Sequence, residues 1–253
     1  MKKIIVVLVL SGILLTGLAV AARAANVTSV VDTQISPPEK IFQELNSKAL
    51  ASVKGDWLYV KEYVTHDVDP LPDIEGLIPL QDTVTEIWYY INPNGMVEKF
   101  VTIEKTLDGE ITQIAVFSDA TAWNSSVDEF VSQKSFLFEG LHYGLPYSQL
   151  KSPGIKVSTV VNGDLNVTEF SISIQENEPI DMLDYDKALL SMDHYYVFDN
   201  LTGFLITKKT IAHLEDGSER ELDFIQVEVK IGVEPPSEVL KYFEIKKDRE
   251  SQK

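Results

Sequence analysis

Histidines, carboxylates and hydroxyls are plentiful in this chain, but few stand at spacings that do chemistry. The four histidines, His66, His142, His194 and His213, are scattered, and there is no cysteine to join them in a zinc set. Acids gather at Asp67, Asp69, Asp73 and Glu75, and again at Asp181, Asp184 and Asp186. Oxygen ligands on a loop suit calcium. Neither cluster has EF-hand spacing, however, and prolines restrict how the first wraps an ion, so a solvated acidic loop is the simpler account. The sequence has no Gly-x-Ser-x-Gly elbow for a serine hydrolase and no glycine-rich phosphate cradle. Glycoside hydrolysis needs only two acids about 5 to 10 Å apart, which any chain with 39 acidic residues offers on paper. A carboxylate-based extracellular hydrolase therefore ranks last, with no catalytic residue, metal or cofactor expected.

The aromatic pattern is more selective. Trp57, Tyr59, Trp88, Tyr90, Phe100 and Phe117 fall within alternating runs that carry apolar residues on both faces, whereas a one-sided meander should show a polar outer face. Core packing explains any one of them. Together they are the candidates for an open apolar groove that holds a hydrophobic ligand.

These side chains need a sheet to position them. Ser36-Pro37-Pro38-Glu39 reads as a capping box opening a helix, with Ile41, Leu45 and Ala49 as its apolar stripe, Phe42 beside them, and Gly55 as its stop. From Asp56 the period changes to alternation, which predicts a strand. Residues 67–82 carry prolines at 70, 72 and 79 and read as a long loop. Two strand-like runs, 83–91 and 96–106, flank Asn92-Pro93-Asn94-Gly95, a hairpin signal. A third strand follows at 110–118, while 127–147 reads as loop with a short helix. Residues 155–161 and 165–174 flank Asn162-Gly163-Asp164 as another hairpin. A short helix is expected over 181–192, then strands at 194–198, 204–213 and 222–231 and a brief helix from Pro235 through Phe243. With no βαβ alternation, the expected fold is mostly β: a curved antiparallel sheet or half-open barrel with an N-terminal helix.

The chain begins Met1-Lys2-Lys3, followed by an apolar run to Ala22 and small residues around Ala22-Arg23-Ala24. That order predicts a signal peptide over 1–24, with a leader at 25–35, a single domain at 36–245 and a charged tail at 246–253. Retention of residues 4–22 as a membrane anchor is the alternative, since the run approaches the roughly 20 residues that span a bilayer. The net charge is −17, and cleavage would leave 19 basic against 39 acidic residues, a net of −20. Such a surface repels phosphates, so no nucleic acid is expected, and membrane contact would be transient or through the N-terminal segment. The absence of cysteine excludes a small disulfide-stapled module.

The strand ending in Asp199-Asn200-Leu201-Thr202-Gly203-Phe204-Leu205 resembles the LolA, LolB and RseB superfamily, in which an Asp-x-x-Thr-Gly stretch sits between two late strands. Trp88-Tyr89 before the Asn-Pro-Asn-Gly turn and the proline-containing end at 234–243 are similar to that family as well. The chain lacks the arginine-rich early strand of the carriers and the lipid-anchor cysteine of their receptor. The resemblance implies a curved sheet whose hydrophobic concave face takes a lipid, an acyl chain or a lipidated segment without catalysis, in the cell envelope or periplasm. It equally implies, as a second reading, an RseB-like sensor with an envelope protein partner.

Overall fold

The computed structural model describes residues 30–31, 36–66, 82–138, 145, 149–151, 154–162, 165–181 and 188–244. The signal and tail expectations, the proline loop and most of both acidic clusters lie outside these residues; of the leader only Val30–Val31 lies within them, as a short strand paired to Val160 and Thr159.

Helix α1 spans Pro38–Val53 and buries Phe42, Leu45, Ala49 and Val53, spaced three and four residues apart on one face. The cap differs from the sequence expectation. Pro37 occupies the cap position with no side-chain hydrogen bond, and its carbonyl accepts the Lys40 amide at 2.9 Å. Ser36 stands one residue too early to cap, so the capping box does not form. Glu39, still in the first turn, complements the helix dipole.

Strands β1 (Val30–Val31), β2 (Asp56–Thr65), β3 (Thr83–Ile91), β4 (Met96–Thr106), β5 (Ile111–Ser118), β6 (Thr121–Asn124), β7 (Glu129–Ser132) and β8 (Phe136–Leu137) form the first run. Strands β9 (Ile155–Asn162), β10 (Leu165–Asp181), β11 (Ala188–Asp199), β12 (Leu205–Leu214) and β13 (Glu219–Ile231) follow. Every ladder is antiparallel. The sheet order is β1-β9-β10-β11-β12-β13-β2-β3-β4-β5-β6-β7, with β8 paired to β4. Two meanders are thus joined where the last strand, β13, lies beside β2.

Two expectations are corrected, and one turn is added. Residues 127–147 are not loop and helix throughout, because β7 and β8 occupy Glu129–Ser132 and Phe136–Leu137. Residues 188–192 are not helical: β11 begins at Ala188, and Leu189 and Ala212 bury with Leu214 in a small core of their own. The turn from β5 to β6 is a two-residue hairpin in which Asp119 and Ala120 both have positive φ, 50° and 56°.

The Asn92 turn forms as expected. The Asn92 side-chain oxygen accepts the amides of Asn94 at 2.9 Å and Met96 at 3.0 Å.

Side chains alternate between the sheet's two faces, and each face has its own cover. The inner face carries α1, whose buried residues join Leu58, Val60, Ile87, Ile91, Val97, Phe170, Phe198 and Leu205 in the main core. At its start Phe42 meets Phe170 and Phe198 edge-on, with ring centroids 6.0 and 5.8 Å apart. Toward its end Leu50 lies against Gly95, on the β3–β4 turn. The helix therefore crosses the strands. A 16-residue helix is about 24 Å long, enough to bridge several strands about 4.8 Å apart. The outer face is covered by α2 (Ser237–Leu240) and the 3-10 turn Lys241–Glu244, with Val239 buried against Trp88, Val101, Ile103 and Val116.

Candidate functional site

The register divides the six aromatic candidates between opposite faces. Trp57 pairs with Tyr90 and Tyr59 with Trp88 across β2 and β3, with ring centroids 5.4 and 5.0 Å apart on the outer face. The C-terminal segment lies over them, Phe243 coming within 6.1 Å of Trp57. The Tyr59 hydroxyl donates to Glu86 at 3.2 Å, and Glu86 is in turn ion-paired with Lys105. Burial, then the Glu86 charge, pushes the Tyr59 pKa up. Trp88 is buried, and its Nε1 has no hydrogen-bond partner among the described residues. These four residues do not form one groove with the other two.

Phe100 and Phe117 face inward, and there they meet a residue that was not among the six. Tyr89 stands opposite Phe100 on β4, which stands opposite Phe117 on β5, so one aromatic row crosses three adjacent strands. Tyr89 and Phe100 are 6.0 Å apart, and Phe100 and Phe117 stack at 5.6 Å and 27°. The short strand β8 runs antiparallel beside the start of β4 and brings further rings to the row's end. Phe136 lies 6.3 Å from Phe100 and 6.0 Å from Phe117, and Phe138 lies 6.0 Å from Tyr89. Phe117 is fully buried, whereas Phe136 is 38% and Leu137 51% exposed. Strand β8 is held by pairing to Met96 and Val97 and by the Phe138 amide donating to the Gly95 carbonyl at 2.9 Å.

Polar groups enter the inner face further along the strands. His194 on β11 lies opposite Thr210 on β12, which lies opposite Asp223 on β13. His194 Nδ1 and Thr210 Oγ1 are 3.1 Å apart, and Lys208 Nζ donates to Asp223 at 2.8 Å. Burial tends to raise the Asp223 pKa, but hydrogen bonds from Lys208 and Thr210 outweigh it and hold the pKa below the ordinary value. Burial and the Lys208 charge lower that of His194. The group satisfies itself.

Glu62 contrasts with it. It sits on β2 between Val227 of β13 and Thr85 of β3, only 8% exposed. Among the described residues nothing hydrogen-bonds it, and burial raises its pKa from 4.5 to about 7. Its charge contributes, after burial itself, to raising the pKa of Tyr89, which ties it electrostatically to the aromatic row. Sequence reasoning missed Tyr89, Phe136, Phe138 and Glu62. Glu62 gave a faint signal as an acid at an inward position of an alternating strand.

The Asp199–Gly203 stretch turns out to be a docking point for α1. The Asp199 carboxylate accepts the amides of Leu201 at 3.2 Å and Thr202 at 2.9 Å. The Asn200 side chain accepts from Thr168 at 2.7 Å and donates to Asn166 at 2.8 Å, and its carbonyl accepts from Lys48 of α1 at 2.8 Å. Gly203, at φ 79°, lies so close to the helix that a Cβ would stand 2.1 Å from the Leu45 carbonyl oxygen. Among the described residues no group of three or more His, Asp or Glu converges as a metal site.

No family model matches the chain, and no curated protein matches it. Solved structures with similar folds do exist. MucB in complex with MucA(peri) is similar at 12% identity and a TM-score of 0.42, the match covering 79% of this chain but only 58% of the MucB chain. The lipoprotein LppX of Mycobacterium tuberculosis is similar at 13% identity and a TM-score of 0.35, covering 78% and 98% of the two chains. A LolA superfamily protein from Nitrosomonas europaea is similar at 8% identity and a TM-score of 0.28, covering 81% and 97%. The mostly antiparallel sheet with an N-terminal helix across one face is the architecture that the sequence resemblance implied.

Proposed function

We propose that this chain is an exported, non-catalytic binding protein that holds an apolar ligand, a lipid, acyl chain or lipidated segment, on the inner face of its sheet. The observation that carries this reading is the aromatic row Tyr89, Phe100 and Phe117, which continues the apolar floor under α1 and is flanked by the exposed two-residue strand β8, whose Phe136 packs against it. Burial of ligand surface there would contribute about 25 cal/mol per Å² removed from water. Displacing β8 breaks few backbone hydrogen bonds, and short exposed segments of this kind open at low cost.

A second reading, a protein-interaction module of the envelope, is favoured by strand β7. It ends the sheet, all four of its residues are exposed, and Val131 is 54% so. Such an edge can accept a strand from a partner.

The test is native mass spectrometry of the full chain, expressed with its N-terminal segment and recovered from the envelope, followed by organic extraction. A stoichiometric apolar compound is the expected result. A clean protein mass, with no uptake of added fatty acid, alkylamine or phospholipid, refutes the first reading and leaves the edge-strand one.

A further inference from the structure

Among the acidic and basic groups of the inner face, Glu62 is set apart by what surrounds it. Lys208 and Asp223 pair with each other, His194 faces Thr210, and Glu104 accepts from Thr112 at 2.9 Å. Glu62 is 92% removed from solvent, has no hydrogen-bond partner among the described residues, and keeps its small remaining exposure at the carboxylate oxygens. Its strand neighbours on the same face are Val60 and Val64, with Val227 and Thr85 across the ladders. A carboxylate in such surroundings is costly unless something donates to it. One carboxylate without a second ligand does not make a metal site.

We infer that Glu62 is the polar anchor of the ligand site, and that the inner face takes a single-chain amphiphile with a cationic, hydrogen-bond-donating head, an alkyl ammonium, its chain running along β3 to Tyr89 and the neighbouring Phe100. This rests on the proposed apolar-binding function and adds the chemistry of the head group. Thr85, beside Glu62, is four residues along β3 from Tyr89. At roughly 3.4 Å per residue that is about 14 Å, a span that a medium-length alkyl chain covers. An ammonium at one end would give Glu62 the charge-assisted hydrogen bond it lacks. A fatty acid would set a second carboxylate beside the first, which like-charge repulsion opposes. The net charge of −17 further favours a cation over an anion.

The experiment compares dodecylamine with dodecanoic acid by calorimetric titration into the full chain at pH 8. The wild-type protein is expected to bind the amine at least about tenfold more tightly than the acid, the lower end of what a charge-assisted hydrogen bond supplies. Glu62→Gln is expected to bring the two affinities within about twofold of each other, and Phe100→Ala to weaken both alike by loss of buried apolar surface. Should Glu62→Gln not fold, Glu62→Met reads the same ratio. If both compounds bind but the wild type prefers the acid, or Glu62→Gln leaves the ratio unchanged, the inference is overturned while apolar binding stands. If neither compound binds the wild type, the inference and the apolar-binding reading fail together.

Discussion

Replacing Glu62 with glutamine should stabilise the protein, and by an amount that depends on pH. Burial raises the carboxyl from its ordinary 4.5 to about 7, so the folded chain holds a proton that the unfolded chain releases. The sign follows from linkage: a raised carboxyl leaves stability intact below pH 4.5 and removes it progressively as pH climbs through 7. At about 1.4 kcal/mol per tenfold, the full loss is about 3 kcal/mol. Glutamine keeps the neutral shape and does not titrate. The advantage of Glu62→Gln over wild type should therefore be close to zero at pH 4, grow through the interval, and level off near 3 kcal/mol by pH 8. For a domain of this size that plateau is about 6 to 12 °C in Tm. Urea unfolding followed by tryptophan fluorescence at pH 4, 6 and 8 measures it. A difference that stays constant with pH, or a variant less stable than wild type at pH 8, would refute the argument, because either result means that the ionised carboxylate has a partner in the folded chain.

Other perturbations test other parts of the structure. Gly203→Ala forces a side chain into a positive-φ position against the Leu45 carbonyl, and should lower stability by more than about 2 kcal/mol in urea unfolding; an unchanged midpoint would contradict the helix docking described. Phe117→Ala empties a fully buried site between Phe100 and Phe136, at a cost of about 3 to 5 kcal/mol on the same assay. Ending the chain after Glu234 removes Val239, Tyr242 and Phe243 from the outer face; Trp57 and Trp88 should then emit at longer wavelength, and an unshifted spectrum would mean that the C-terminal segment does not cover them.

Much of the fold is legible in the residues. The Asn92–Gly95 hairpin, the helix stripe and the later strands follow from turn chemistry and periodicity. What escaped had physical reasons. The β5–β6 turn uses Asp119 and Ala120 with positive φ, and alanine gives no warning of a left-handed backbone. Ala188 to Met192 reads as a helix former by composition, yet it continues a ladder because Leu189 and Met192 pack with Ala212, Leu214 and Leu222. The candidate site was misassembled for one reason above all. A register shift lies between Tyr90 and Ile91, just before the hairpin, and a slip of one residue exchanges the faces. It sets Tyr89, not Trp88, opposite Phe100. The aromatic set was visible in the sequence, but its division into an inner and an outer group was not.

The seam between the two meanders has a consequence for how the chain is made. Leu58 of β2 pairs with Ile231 of β13, 173 positions later, and α1 settles against Phe170, Phe198 and the turn at Gly203. As the chain grows from its N-terminus, its early helix and first long strand wait for partners that are synthesised last. Closing so long a loop adds little to the free energy, since each doubling costs only about 0.6 kcal/mol, but such distant pairings fold slowly. One edge of β2 thus stays unpaired until β13 has emerged, while the other can pair at once with β3. Until then the open edge can pair with another chain, as unpaired strand edges do, and β13 is the strand that covers it.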